Sequence, residues 1–132
     1  MIKGIESVLL FSENPKELME FYRDTLGLKV DMEGEYGDEE ELYVGFQPGK
    51  GSYMVVMHHS KVKGKNREPE RFMVNFEVDN IEKEVARLDK AKVRKIQDIY
   101  HVEDYGKIAT FVDPDGNYFQ LVQIRPSPAK AN

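Results

Sequence analysis

The sequence predicts an α+β fold: two βαβββ modules forming one curled mixed sheet around a cleft. Three observations predict it. Short apolar or alternating segments of strand type outnumber the two segments with helical spacing. Each helical segment follows one strand candidate and precedes three. The whole order is then written a second time, at an offset of about 66 residues, and such internal repetition of a supersecondary unit is an organisational signal.

The elements follow in order. Residues 4–11 are short, apolar and compatible with a strand, and they stop at Ser12-Glu13-Asn14-Pro15. Asn14 reads as a helix N-cap, Pro15 as the first helical residue and Glu17 as the acid of the first turn. Leu18, Phe21, Tyr22 and Leu26 recur at helical spacing, and Gly27 is placed to end the helix in a left-handed conformation. Leu28, Val30 and Met32 alternate with Lys29, Asp31 and Glu33, the period of a half-buried strand. Residues 42–47 and 53–59 are the next strands, separated by the turn Pro48-Gly49-Lys50-Gly51. Residues 61–71 lack periodicity and carry Lys61, Lys63, Lys65, Arg67 and Arg71, which reads as a basic linker. In the second module, 72–78 is a strand. Asp79 or Asn80 caps a helix whose Ile81, Val85 and Leu88 share one face. Residues 93–100 and 107–112 are strands, Asp113-Pro114-Asp115-Gly116 is a turn, and 117–124 is the last strand. The domain plan is therefore 1–60, a linker at 61–71, and 72–125, with a Pro-containing tail at 126–132 expected to fray, the whole forming one domain.

Composition narrows the function classes. The chain has 132 residues and no Cys, which removes disulfide frameworks, thiolate nucleophiles and Cys-ligated zinc. Its net charge of −5 argues against non-specific nucleic-acid binding and against a polybasic membrane surface. No apolar run approaches the ~18 residues of a membrane span, and residues 1–6 lack the apolar core of a signal peptide. A cytoplasmic location is the default expectation. No Ser-His-Asp or Cys-His arrangement and no phosphate-cradling Gly loop is present.

Alternation assigns faces. Val8 and Leu10 belong under the first helix, leaving Ser7, Leu9 and Phe11 for the cleft. Val74, Phe76 and Val78 belong under the second helix, leaving Met73, Asn75 and Glu77. In the last strand Phe119 and Leu121 go with the helix, and Tyr118, Gln120 and Val122 face the cleft. In the fourth strand parity alone does not choose. His58 and His59 point to opposite faces of a regular strand, so they do not ligate one ion together. Glu33, Glu35, Asp38, Glu39, Glu40 and Glu41 read as a solvated turn, or as an acidic rim that attracts a cationic ligand. His101, Glu103, Asp104 and Tyr105 read as a loop at the cleft mouth.

Three motifs carry a resemblance. Phe21-Tyr22-Arg23-Asp24-Thr25-Leu26-Gly27-Leu28, Phe76-Glu77-Val78-Asp79-Asn80-Ile81 and Asp113-Pro114-Asp115-Gly116-Asn117-Tyr118-Phe119-Gln120-Leu121 resemble, in order, signatures of the vicinal oxygen chelate superfamily. That superfamily comprises glyoxalase I, bleomycin- and fosfomycin-resistance proteins and extradiol dioxygenases. The resemblance covers about residues 4–124 and implies a homodimer, a small-molecule ligand and, in the enzymes, a divalent metal held by His, Glu or Gln at four positions. Those positions fall here on Ser7, Val55, Met73 and Gln120. Placing Val55 inward puts Tyr53, Met57 and His59 inward with it.

Ser7, Val55 and Met73 are poor ligands for a hard or borderline ion. The expectation is therefore a protein that binds a small organic molecule without the family's metal and without a cofactor. Its cleft comprises Ser7, Leu9, Tyr53, Val55, Met57, His59, Met73, Asn75, Tyr118 and Gln120, with no catalytic residue assigned. One alternative is a metal-dependent lyase, isomerase or dioxygenase with a shifted ligand set of His59, Glu77 and Gln120. Another is a structural or regulatory dimer without a ligand.

Overall fold

A computed structural model describes residues 1–37, 41–49 and 51–125. The expected tail at 126–132, the centre of the acidic run at 38–40 and Lys50 of the turn lie outside the described residues. The chain divides into two compact units, Met1–Lys65 and Asn66–Asn132, at a point inside the expected linker.

In the first unit β1 (Ser7–Ser12) leads into α1 (Pro15–Glu20), followed by β2 (Val30–Tyr36), β3 (Glu41–Phe46) and β4 (Tyr53–His58). The sheet order is β1-β4-β3-β2, with β1 parallel to β4 and the other pairs antiparallel. Even-numbered residues of β3 and β4 pack under the helix. Val44, Phe46, Met54 and Val56 are buried together with Leu18, Met19 and Tyr22 of the helical segment. Burial of such side chains stabilises each by roughly 1.5–3 kcal/mol.

Local chemistry sets the boundaries. Asn14 stands at the N-cap, but its side chain makes no capping bond. Instead its backbone N–H donates to the buried Ser12 Oγ at 2.9 Å. The expected single helix widens part-way: after Glu20 the segment Phe21–Thr25 is a π-turn. Gly27 then turns the chain at φ 83, as a left-handed stop requires. Glu33 and Glu35 lie in β2 rather than in a turn, and Gly37, just past the strand, is a turn residue. Beyond β4, Gly64 N–H donates to Glu13 Oε1 at 3.1 Å and Lys63 lies 3.7 Å from Glu13, tying the start of the linker back to the end of β1.

The second unit repeats the plan. A short 3-10 turn at Pro69–Arg71 precedes β5 (Val74–Glu77), α2 (Ile81–Lys90), β6 (Lys95–Val102), β7 (Gly106–Val112) and β8 (Tyr118–Ile124). The order is β5-β8-β7-β6, with β5 parallel to β8. Phe76, Phe111, Phe119 and Leu121 pack against Ile81, Val85 and Leu88 of α2. Phe119 meets Phe76 edge-on at 6.0 Å and stacks on Phe111 at 5.9 Å. Asn80 Oδ1 accepts from Lys83 N–H, the expected cap, and Gln123 Oε1 accepts from Ile81 N–H at 2.8 Å. Lys107 Nζ donates to Glu82 Oε1 at 2.6 Å, which holds that carboxyl below the ordinary glutamate range.

The turn before β8 is built on one carboxylate. Asp113 Oδ1 accepts from the backbone N–H groups of Asp115 and Asn117, and its Oδ2 accepts from Asn117 Nδ2. His101 belongs to β6, paired with Lys107, so the loop expected at 101–105 shrinks to a tight turn after Val102. That turn is closed by Tyr105 N–H donating to Val102 O.

Candidate functional site

Each sheet has one face under its helix and one face away from it. In the first unit the pairing register reads the open face off in rows. Ser7 lies beside Tyr53. Leu9, Val55, Gly45 and Met32 form one row, and Phe11, Met57, Tyr43 and Gly34 the next. The facing of β4 follows the expectation: Tyr53, Val55 and Met57 are half-buried on the open face, and Met54 and Val56 are buried on the other. Leu9, Phe11 and Met32 keep 47%, 37% and 44% of their surface exposed. None of the ten residues in these rows carries a charge.

Met32 reaches this face through a bulge. Val30 pairs with Phe46 on the helix side, but Met32 pairs with Gly45 on the open side, because an extra β2 residue intervenes. The alternation that put Val30 and Met32 on one face breaks at that point. Tyr43, Gly34 and Gly45 also belong to the face and were not among the expected residues. The Gly in each of two neighbouring strand segments was the available signal, since an isolated strand Gly marks a close approach.

His58 and His59 diverge as expected. His58 lies 3.6 Å from Glu41 on the helix side. His59 follows the strand end and meets Phe11 edge-on at 5.1 Å. Its Nδ1 accepts from Lys61 N–H at 3.1 Å, so the neutral ring carries its proton on Nε2 and presents a donor.

In the second unit the face away from α2 is polar at its centre and largely buried, with Thr110, Ile108 and Val122 at 4%, 8% and 2% exposure. Asn75, Gln120, Thr110 and Gln97 form one row across β5, β8, β7 and β6. Gln120 Nε2 donates to Thr110 Oγ1 at 2.9 Å, leaving Oε1 as the amide's other hydrogen-bonding atom. Glu77, Val122, Ile108 and Tyr100 form the next row, and Tyr118 pairs with Val112. Met73 is half-buried just before β5 and is not a strand residue.

The two registers match. Val55 pairs with Leu9, two residues beyond Ser7, and Gln120 pairs with Asn75, two residues beyond Met73. The four positions that the resemblance assigns to a metal are thus equivalent by duplication. Their donor set is a hydroxyl, no donor at Val55, a thioether and one amide engaged with Thr110. That set does not fit a hard or borderline divalent ion. The shifted set fares no better within what each unit shows. Glu77 pairs with Val122 rather than Gln120. His59 uses Nδ1 as an acceptor, whereas metal-ligating His donates from its second nitrogen. Among the described residues, no group of three His, Asp or Glu side chains is arranged to hold an ion.

A family model described as Glyoxalase/Bleomycin resistance protein/Dioxygenase superfamily matches residues 4–121. The chain belongs to this superfamily. The α+β glyoxalase/bleomycin resistance-like fold is borne out by solved structures of similar architecture, with the strands in two four-stranded sheets where one curled sheet was expected. A glyoxalase family protein from Enterococcus faecalis is 21% identical with a TM-score of 0.73, over 92% of this chain and 98% of that one. TnmS3, an antibiotic binding protein from a Streptomyces species, is 20% identical with a TM-score of 0.75, over 94% and 98%. FosX, a fosfomycin resistance protein from Listeria monocytogenes, is 15% identical with a TM-score of 0.71, over 95% and 96%. No curated protein matches the sequence significantly. In this superfamily member no helix among the described residues is long and apolar enough to cross a membrane.

Proposed function

We propose that this superfamily member is a binding protein that holds a small organic molecule on the open face of its first sheet, without the metal of the family's enzymes. One observation carries the reading: the uncharged, apolar open face of the first unit, on which Leu9, Phe11 and Met32 stay exposed beside Val55 and Met57. Large apolar side chains gathered on one uncharged face mark an interaction surface. The antibiotic-binding role of TnmS3, a protein of similar fold, supports the same class of ligand. A cytoplasmic homodimer belongs to this reading, its stoichiometry open to light scattering.

The deciding experiment has two arms. Elemental mass spectrometry of protein purified without chelator is expected to find no stoichiometric divalent ion, even after incubation with Mn, Fe, Ni or Zn. About one ion per chain overturns the metal-free reading. A thermal-shift screen of small organic molecules is expected to yield ligands that raise Tm dose-dependently, by about 10 °C at a hundred times Kd. Val55→Lys, which places a charge on the uncharged face, is expected to abolish that shift. A screen without a single stabilising compound overturns the proposal.

A further inference from the structure

Two neighbouring cross-strand pairs on the open face of the first sheet combine a large residue with a glycine, in opposite order. Met32 of β2 faces Gly45 of β3, and Gly34 of β2 faces Tyr43 of β3. Each large side chain therefore has bare backbone beside it. A Cβ built on Gly34 would stand 2.8 Å from Tyr43 Oη and 3.0 Å from two of its ring carbons. A Cβ built on Gly45 would stand 2.8 Å from Met32 Cγ. Carbon atoms pack at about 3.5–4.0 Å, so no side chain fits at either position without displacing its neighbour. The phenol ring and the thioether chain lie down across the opposite glycines instead of standing off the sheet. Strand glycines are unfavourable in themselves and mark close approach to the backbone. Here the approaching groups are the chain's own side chains, and they form a low shelf beside Val55 and Met57 of β4.

The shelf has a definite chemistry. It is uncharged, as are the adjoining positions Leu9, Phe11, Val55 and Met57. A ring and a polarisable sulfur favour aromatic partners through stacking, edge contacts and sulfur–aromatic contact. Met32 keeps 44% of its surface exposed, so the shelf is open to an incoming group.

We propose that the Tyr43–Met32 shelf selects for a flat, uncharged aromatic ring system in the ligand. The proposal rests on the binding reading above and goes beyond it by assigning the ligand's chemical class and the residues that read it. Neutral charge on the face argues for a neutral ring, and a low profile argues for a planar one.

The test uses the full chain with two probes. One is Prodan, a neutral naphthalene fluorophore whose emission shifts on leaving water. The other is a neutral cyclohexyl amide of similar size, followed by calorimetry. Wild-type protein is expected to bind Prodan more tightly than the saturated probe. Tyr43→Leu is expected to weaken Prodan about ten-fold while changing the saturated probe less than two-fold. Gly45→Ala, which lifts Met32, is expected to act in the same direction. Met32→Gln keeps length at an exposed position and serves should Gly45→Ala unfold by circular dichroism; a several-fold loss of Prodan is expected. Equal loss of both probes, or no loss of either, overturns the shelf as selector and leaves the binding reading standing, provided Val55→Lys still abolishes binding. Tighter binding of the saturated probe also overturns it. A dimer by light scattering, with Prodan binding lost as protein concentration rises, would assign the face to a second copy and overturn the proposal. No binding of any screened compound removes both readings together.

Discussion

At the residue scale, single side chains that satisfy several backbone groups matter most. Asp113 is 4% exposed and receives three hydrogen bonds within its own turn. Removing a buried carboxylate leaves those donors without it, and bonds to charged groups contribute about 1.5–3 kcal/mol. Asp113→Ala is expected to lower stability by about 3 kcal/mol, read as a fall in the urea midpoint at unchanged slope. Asn80→Ala removes one capping bond and is expected to cost about 1 kcal/mol by the same measurement. The two residues differ in how much the sequence says of them. The cap was legible as Asp79 or Asn80 because capping is local, and the structure selects Asn80. The Asp113 segment was legible as a turn from its Asp-Pro-Asp-Gly chemistry, but not as a carboxylate with three donors around it.

At the element scale, sheets and helices are held in register by contacts that local pattern does not reveal. Gln123 caps Ile81 across 42 positions, and Lys107 reaches Glu82 across 25. Neither was visible in the sequence, because side-chain pairs that distant depend on strand register. The Lys107 bond holds the Glu82 carboxyl below its usual range. Its stabilising contribution is therefore present above the ordinary glutamate range and lost as pH falls through the lowered folded value. Lys107→Met is expected to raise the Glu82 titration, followed by carboxyl NMR, toward the usual range, the backbone hydrogen bond at Glu82 keeping part of the lowering. Gly106 poses a steric demand. It sits at φ 150, and a Cβ there would overlap the Gln123 carbonyl oxygen. Gly106→Ala is expected to destabilise strongly, by several times the cost of losing the Asn80 cap, in thermal melts. Alternation read the faces of β1, β5 and β8 correctly; in β4 it left the choice open, and the resemblance made it. Alternation failed in β2, where the bulge between Val30 and Met32 turns the methionine outward. An extra residue shifts every later side chain to the other face, and single-sequence periodicity carries no mark of it.

At the scale of the whole molecule, both halves of the chain follow one plan. The repeat of strand, helix and three strands was legible because each element has its own period and punctuation. The chemistry of the faces away from the helices was legible only where parity held. The donor-poor metal positions were readable by resemblance, and the matching registers of Val55 with Leu9 and Gln120 with Asn75 place them equivalently. The crossed pairing of Met32 and Tyr43 with glycines was not readable, because it arises between strands. The sheet orders carry one more expectation. β5 pairs with β8 in the second sheet, at the edge away from β7 and β6. A chain ending at residue 117 is expected to leave the β5 amides exchanging freely, while the amides of β3 and β4 stay protected, as read by hydrogen exchange mass spectrometry.

The strand that each sheet receives last, β4 or β8, takes an interior place between strands already made. On the ribosome this imposes a delay. The α2 start at Ile81 leaves the exit tunnel 42 residues ahead of the glutamine that caps it. At about 5–20 residues per second that interval is roughly 2–8 s. Throughout it the nascent β5 has an open edge, β7 adds another once it has emerged, and the closing strand must be threaded between them rather than added at a border. Slowing translation across residues 81–123 by synonymous recoding is therefore expected to lower the folded yield, read as the fraction of chain that resists proteolysis.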